Sequence, residues 1–194
     1  EIFTSPGPVH IRSSGRVAQH LAPAMRTVRP VTQVQVWNHR PEGAQALARQ
    51  WRAEGFDAHA ATDLRSAVEQ ADIVSCATLA EAPLVRGEWL REGTHLDLIG
   101  SFTPRMRESD ALCFARSRVF VDTEEALAKS GDLLGAVAEG AFEASMLHGT
   151  LAQLCRGERP GRGGEREITL FKAVGNALED LAAAELVAGA MLAR

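Results

Sequence analysis

Short apolar runs alternate with amphipathic stretches along most of the chain. The runs that predict strands lie at residues 9–12, 34–38, 57–61, 72–77, 95–100, 118–122 and 168–172. Between the first runs, apolar residues recur at helical spacing, as at Val17, Leu21 and Met25. Strands that alternate with helices are typical of a parallel sheet with helices on both faces. We therefore predict a doubly wound, mostly parallel α/β sheet, followed by a C-terminal helix over residues 177–192.

The turn after the first predicted strand has an incomplete phosphate-binding fingerprint. Ser13, Gly15 and Ala18 stand where the usual pattern has Gly, Gly, and Gly or Ala. The second strand ends about 20 residues later, where such folds contact the adenosine ribose. An ordinary strand–turn–helix with a glycine at the bend is the alternative. Thr78 and Gly100 also follow strands, and ligands of open parallel sheets bind beyond the carboxyl ends. The sequence thus favours a Rossmann-type dinucleotide-binding domain over residues 8–172.

Composition narrows the class of protein without choosing its function. The chain has 194 residues, of which 45% are apolar and 24% charged, as in an ordinary globular domain with or without an appendage. We expect no membrane helix, because no apolar run reaches about 20 residues, and no secretory signal, because no basic stretch followed by an apolar one opens the chain. The net charge of −4 argues against nucleic-acid binding. Cys76, Cys113 and Cys155 are scattered, which predicts neither disulfides nor a metal site, and favours a reducing, cytoplasmic location.

Short motifs along the chain resemble the ornithine cyclodeaminase/μ-crystallin family, in the family's order. They include GRVA at 15–18, VWN at 36–38, ADIV at 71–74, PLVRG at 83–87, IGS at 99–101, GDL at 131–133 and ITLFKAVG at 168–175. The resemblance extends over roughly residues 9–192, nearly the whole chain. The resemblance implies a Rossmann-type domain beside a separate substrate and dimerisation domain, to which the last helix, residues 173–194, returns. The chain looks like the middle and end of such a protein.

The residue two positions after Gly100 distinguishes the branches of this family. Cyclodeaminases have an Asp there as the acid/base, and a Lys four residues later; Phe102 and Met106 occupy those positions here. Because phenylalanine cannot transfer a proton, conversion of ornithine to proline plus ammonia is disfavoured. The resemblance is closer to the ketimine reductase branch, which Pro104, Arg107 and Glu108 match.

The resemblance to that branch implies a reductase of small cyclic imino acids. NAD(P)H would reduce the C=N bond of Δ1-pyrroline-2-carboxylate or Δ1-piperideine-2-carboxylate, giving L-proline or L-pipecolate. Orientation beside the nicotinamide matters more for such a reaction than a strong base. A non-catalytic, crystallin-type dinucleotide-binding protein is the alternative from another class. The family also implies a homodimer for the full-length protein.

The family's roles carry over to residues at several strand ends. The resemblance places Gly15, Arg16 and Val17 at the pyrophosphate; Asn38, His39 and Arg40 around the adenosine ribose; Thr78 at the adenosine or ribose region; Ile99, Gly100, Ser101, Phe102 and Ala173 along the nicotinamide; and Val174 at the substrate. No catalytic residue and no metal ligand is assigned.

The end of the second strand bears on the choice of cofactor. It carries no acid to hold a free 2′-hydroxyl, and Arg40 can meet a 2′-phosphate, so NADP(H) is favoured over NAD(H). The family's Arg directly follows the Asn, whereas His39 stands there in this chain. Other interpretations remain: His39 and Arg40 as solvated surface residues, Phe102 as a core residue, and Asp122 and Asp132 as strand-end and cap residues.

Overall fold

The computed structural model of the protein describes residues 9–12 and 17–192. Ser13, Gly15 and Arg16 of the predicted phosphate turn therefore lie outside the described residues. The strands are β1 (Val9–Arg12), β2 (Gln33–Trp37), β3 (Asp57–Ala60), β4 (Ile73–Cys76), β5 (His95–Leu98), β6 (Ser117–Val121), β7 (Leu147–Thr150) and β8 (Ile168–Lys172). The α-helices are α1 (Ala18–Arg26), α2 (Pro41–Ala53), α3 (Leu64–Gln70), α4 (Ala111–Ala115), α5 (Ala126–Lys129), α6 (Gly131–Ala138), α7 (Leu151–Cys155) and α8 (Ala177–Leu192).

The eight strands form one sheet in the order β3-β2-β1-β4-β5-β8-β6-β7, and each described strand pair is parallel. Strands β2 and β3 follow on one side of β1. The chain then crosses back to β4, which pairs with the other side of β1. Right-handed crossovers consequently place α1 and α2 on one face and α3 on the other. The predicted doubly wound parallel α/β fold is confirmed.

Two clusters of buried apolar side chains follow the two halves of the sheet. In the first, Ala18 and Trp51 of α1 and α2 pack with Val36 of β2. In the second, helices α3, α4 and α6 pack against the strands from β4 to β6, with Leu98 and Phe114 among the fully buried residues. Burial of this apolar surface is the main force that holds the helices to the sheet.

Most strands end at the same level of the sheet. The register partners Trp37, Arg12, Cys76, Leu98, Lys172, Val121 and Thr150 form one row, and each is the last residue of its strand. The residues that follow them therefore form a single carboxyl edge, which we call the strand-end edge. The order of strands reverses at β1 and β4, and open sheets of this kind bind ligands at such a point.

Local sequence signals account for several element boundaries. Pro41 occupies the first turn of α2, where its missing N–H costs nothing, and Gly55 follows the helix with φ +86°, which a glycine adopts freely. Asp63 caps α3 by accepting from the backbone N–H groups of Arg65 and Ser66 at 3.2 Å each. The predicted strand bounds agree with the structure to within one or two residues.

Several elements lacked a sequence prediction, β7, α4, α6 and α7 among them, and all of these belong to the second half of the chain. Strand β7 reads Leu-His-Gly-Thr, which shows no alternation of apolar and polar residues. Helix α4 has five residues, too few for a helical period to emerge.

The final helix, α8, differs from helices α1 to α6, each of which buries at least one residue. None of its sixteen residues is buried, and its composition is mostly Ala and Leu. Leu178 is 76% exposed and Leu192 88% exposed. Among the described residues, no helix has the length and apolarity needed to cross a membrane.

Candidate functional site

The end of β2 forms a tight turn that opens to solvent. The Asn38 side-chain Oδ1 accepts the backbone N–H of Arg40 at 2.8 Å, which bends the chain into α2. His39 and Arg40 are both exposed, and Asn38 is half-buried. The turn thus presents an imidazole and a guanidinium at the strand-end edge, on a backbone fixed by Asn38.

The ends of β4, β5 and β8 lie side by side and are joined through their backbones. The N–H of Ile99 donates to Cys76 O at 2.8 Å, and the N–H of Ala173 donates to Leu98 O at 3.0 Å. Gly100 lies so close to Thr78 that a Cβ on Gly100 would be 1.9 Å from the Thr78 carbonyl oxygen. The predicted residues Thr78, Gly100 and Ala173 are therefore adjacent.

A buried carboxylate lies beneath these strand ends. The Oε1 of Glu108 accepts the N–H and the hydroxyl of Thr78, at 2.6 and 2.9 Å. Its Oε2 accepts the N–H groups of Gly100 and Ser101, at 2.7 and 3.3 Å. Glu108 has no exposed surface, so each oxygen is satisfied by one strand end and by no solvent.

Glu108 belongs to a cluster of buried charges at the strand-end edge. The ammonium of Lys172, the last residue of β8, lies 3.9 Å from Glu108 Oε2 and 3.8 Å from Asp132 Oδ2, and donates to Leu98 O at 3.1 Å. The Oδ1 of Asp132 accepts the backbone N–H groups of Glu108 and Ser109, at 2.8 and 2.9 Å. One cation thus faces two carboxylates, one from the segment between β5 and α4 and one from the first turn of α6.

Burial shifts the protonation of these groups. Loss of solvation raises the pKa of Glu108, while Lys172 and the hydrogen bonds from Thr78 act in the opposite direction. Burial likewise lowers the pKa of Lys172, although Asp132 and Glu108 favour its charged form. Asp97, on the neighbouring part of β5, accepts the Ser75 hydroxyl at 2.6 Å, and burial raises its pKa to about 6.

Large apolar side chains line the exposed side of the edge. Val17 is 53% exposed, Leu79 70% and Phe102 45%. Leu79 and Phe102 follow neighbouring strands, β4 and β5. Phe102 is therefore not the core residue that one interpretation of the sequence suggested. Apolar rings and chains left in water at a ligand-binding edge are suited to cover a flat organic ring.

The loop after β8 is held by a second carboxylate. The Oδ2 of Asp122 accepts the N–H groups of Val174 and Gly175, each at 2.7 Å, and its Oδ1 accepts that of Thr123 at 2.7 Å. Asp122 follows β6, as the sequence predicted for a strand-end residue. This arrangement fixes Ala173 and Val174 at the strand-end edge.

One role assigned from the sequence is wrong. Asp132 was expected to cap a helix, but the N-cap of α6 is Ser130, and the Asp132 carboxylate binds the backbone of residues 108 and 109 instead. The cluster of Glu108, Asp132 and Lys172 was also missed as a unit. Glu108 and Lys172 appeared only inside matching motifs, although a lysine in an otherwise apolar strand is itself a signal of a buried charge.

The described site residues other than Val17, which directly precedes α1, fall into two groups on one edge. Thr78, Ile99, Gly100, Ser101, Phe102, Ala173 and Val174 lie together at the ends of β4, β5 and β8. Asn38, His39 and Arg40 lie at the end of β2, with β1 between the two groups. Neighbouring strands are about 4.8 Å apart, so the edge from β2 to β8 spans about 19 Å. Among the described residues, no group of three or more His, Cys, Asp or Glu side chains can hold a metal ion.

Comparison with known proteins identifies similar chains. A model of the "Ornithine cyclodeaminase/mu-crystallin family" matches residues 10–194. A Δ1-pyrroline-2-carboxylate reductase from Paracoccus denitrificans is 43% identical over 183 residues, which cover 93% of this chain and 58% of that protein.

Solved structures extend this similarity to the fold. The structure of Thermococcus litoralis Δ1-pyrroline-2-carboxylate reductase, in complex with NADH and L-proline, matches with a TM-score of 0.92 and 33% identity, over 95% of this chain and 58% of that one. An archaeal alanine dehydrogenase dimer with bound NAD matches with a TM-score of 0.89 and 26% identity, over 96% of this chain and 58% of that one. The chain spans somewhat more than half the length of these proteins.

Proposed function

Because the chain belongs to the ornithine cyclodeaminase/mu-crystallin family, we propose that the complete protein reduces the C=N bond of small cyclic imino acids. The substrates are Δ1-pyrroline-2-carboxylate or Δ1-piperideine-2-carboxylate, and the products are L-proline or L-pipecolate. A bound reduced nicotinamide dinucleotide supplies the hydride. The reductase from P. denitrificans and the T. litoralis complex with NADH and L-proline support this proposal.

The half-exposed Phe102 at the strand-end edge is the observation that carries the proposal. Residues 99–106 contain no Asp, Glu, His or Lys, and Glu108 is turned inward with both oxygens occupied. This part of the edge offers an apolar surface and a fixed backbone rather than a general base. Reduction of an imine that is already protonated requires orientation above all, whereas deamination of ornithine requires proton transfer.

The cofactor fits the edge in an extended arrangement. Ile99, Gly100, Ser101, Phe102 and Ala173 border the nicotinamide, with Val174 towards the substrate. Thr78 lies at the ribose region, while Val17 with Gly15 and Arg16 borders the pyrophosphate. The apolar side chains in water and the backbone fixed by two carboxylates support this placement.

Asn38, His39 and Arg40 surround the adenosine ribose in this proposal. The exposed guanidinium of Arg40 favours NADP(H), because a 2′-phosphate can pair with it while no carboxylate is present to hold a free 2′-hydroxyl. NAD(H) is the alternative cofactor.

Helix α8 connects this domain to the rest of the full-length protein. Its sixteen residues are unburied and largely apolar, so its surface is suited to pack against other protein. We assign residues 173–194, the segment that contains α8, to the substrate and dimerisation domain. Residues 8–172 form the dinucleotide-binding domain. The longer relatives and the alanine dehydrogenase dimer support this arrangement.

The test is oxidation of NADPH and of NADH by the full-length protein with each imino acid, beside a cofactor titration followed by fluorescence. Turnover with either imino acid, faster with NADPH, is the expected result. Ammonia release from ornithine, without imine reduction, would make the protein a cyclodeaminase. Cofactor binding without any turnover would instead favour the non-catalytic, crystallin-type function.

A further inference from the structure

The carboxylate of Glu108 is placed to do more than stabilise the fold. We propose that Glu108 is a positioning residue, which fixes the ends of β4 and β5 relative to each other and thereby sets the surface that receives the nicotinamide half of the cofactor. This inference rests on the proposed function and assigns a role to a residue that does not itself reach the edge.

The two oxygens of Glu108 serve two different strand ends. Oε1 accepts both donors of Thr78, which follows β4, and Oε2 accepts the backbone donors of Gly100 and Ser101, which follow β5. The gap between the two ends is filled by this carboxylate, since a Cβ on Gly100 would be 2.4 Å from Glu108 Oε1. The spacing of the two ends therefore depends on one side chain.

The carboxylate is itself held from behind. Asp132 accepts the backbone N–H of Glu108 at 2.8 Å, so the main chain at this residue has a fixed position. Lys172 lies 3.9 Å from Glu108 Oε2 and donates to Leu98 O at 3.1 Å, which ties the end of β8 to the same group. Three neighbouring strand ends thus converge on Glu108.

The placement distinguishes a positioning role from a merely structural one. Thr78 and Ser101, which donate to Glu108, are directly followed in the chain by the exposed residues Leu79 and Phe102. The end of β2, by contrast, is shaped by its own Asn38, which accepts the backbone N–H of Arg40 at 2.8 Å. Loss of the carboxylate should therefore disturb the nicotinamide half of the edge and leave the adenosine half in place.

The substitution Glu108→Gln isolates this role. Gln has the same size but replaces one acceptor oxygen with an NH₂ group, so at one of the two strand ends a donor will face a donor. One strand end therefore loses its hydrogen bonding to residue 108, whichever way the amide is oriented. Hydrogen bonds to a charged carboxylate are stronger than those to a neutral amide. We therefore expect the substitution to disturb the part of the strand-end edge formed by the ends of β4 and β5.

The experiment compares two ligands in the full-length protein. NADH or NADPH reaches both halves of the edge, whereas ADP reaches the adenosine half alone. In E108Q we expect the Kd of the reduced cofactor to rise about tenfold and kcat to fall, with the Kd of ADP changed by less than about twofold. Asp110→Asn is the matched control, because the Asp110 carboxylate also accepts two backbone N–H groups, those of Gly87 and Cys113, away from the edge. D110N should leave the ratio of the two Kd values unchanged.

Several outcomes would overturn the inference. Equal weakening of ADP and the dinucleotide in E108Q would show a general loss of structure, and no change in either would show that the carboxylate is not needed. If E108Q does not fold, Thr78→Val removes one hydroxyl hydrogen bond of 2.9 Å and should shift the ratio in the same direction by a smaller factor. An unchanged ratio in T78V would then overturn it. Failure of the wild-type protein to reduce either imino acid while it still binds the cofactor would refute the proposed reaction and leave the ratio as a valid test.

Discussion

The two halves of the strand-end edge are built in opposite ways. At the end of β2, one Asn38 hydrogen bond shapes a turn whose other side chains stand in water. At the ends of β4, β5 and β8, three buried charges, Glu108, Asp132 and Lys172, hold the backbone from beneath.

The exposed side chains of one half are suited to recognise the ligand, whereas the buried charges of the other half fix the geometry of the backbone. An exposed side chain such as Arg40 can change without cost to the core, so the adenosine half is suited to adjust which cofactor binds. A buried charge cannot change without leaving its partners unpaired, so the other half is suited to keep one fixed shape. Substitutions on the two halves should therefore affect different quantities.

The largest expected effect is on stability, from Lys172→Met. The change removes the one cation between two buried carboxylates and should lower the free energy of unfolding by about 4 kcal/mol. Urea denaturation of both proteins measures it. Lys129→Met is the matched control, because Lys129 is the chain's other lysine and forms an exposed pair with Glu125, so its loss should cost less than about 1 kcal/mol. Equal effects of the two substitutions would contradict the proposed division of the edge.

Gly100→Ala should come next in size. Its Cβ would approach the Thr78 carbonyl oxygen to 1.9 Å, so the ends of β4 and β5 would be forced apart at a cost of about 3 kcal/mol. Denaturation and cofactor binding can be measured on the same samples. The control is Gly161→Ala, where an added Cβ meets no atom within 4 Å. A G100A protein with unaltered stability and binding would show that the two strand ends can separate freely.

The buried Asp97 should make stability depend on pH. Its pKa is raised from 3.8 to about 6 in the folded protein, so the folded state holds a proton that the unfolded state has lost. Stability from this group is therefore present at low pH and declines as pH rises from about 4 to about 6, by up to about 3 kcal/mol. Asp97→Asn should remove this decline in urea titrations at several pH values.

A control for the pH series is Asp57→Asn, whose carboxylate is exposed on β3. It should keep the decline between pH 4 and 6. A decline of the same size in D97N would mean that another group causes it.

The smallest effect in energy is expected at the adenosine half, from Arg40→Ala. We expect the KM for NADPH to rise about tenfold while the KM for NADH and the stability stay the same, because the guanidinium is exposed and, in the proposed function, pairs with the 2′-phosphate. Arg49→Ala, an exposed arginine further along α2, serves as the control for lost positive charge. If R40A changes the KM for NADPH and the KM for NADH by the same factor, the assignment of NADP(H) is wrong.

Much of the fold could be predicted from the sequence because its signals are local. Apolar runs in the sequence predicted the strands from β1 to β6 and β8, and Pro41, Gly55 and Asp63 lie at helix ends because of their own backbone chemistry. Strand β7 was not predicted because its sequence shows no alternation of apolar and polar residues, and its place is set by pairing with β6, a contact distant in sequence.

The candidate site was predictable in part, for a related reason. Residues that follow strands could be placed on one edge, since parallel strands end together. The partners of Glu108 come from residues 78, 100, 101 and 172, and no periodicity connects such positions. Asp132 shows the same limit: a carboxylate in the first turn of a helix suggests a cap, and only the folded chain brings residues 108 and 109 to it.

The position of β8 has a consequence for how the chain is made. Strand β8, the last of the described strands in chain order, lies between β5 and β6, which are complete long before it is synthesised. Its partners are distant, as in the pair His95 and Thr169, so the centre of the sheet closes late, and formation of such contacts is slow. During synthesis, Glu108 and Asp132 lack their cationic partner until Lys172 has been added to the chain. A ribosome that stops before residue 168 therefore releases a sheet in two parts, exposed to association with other chains and to proteolysis.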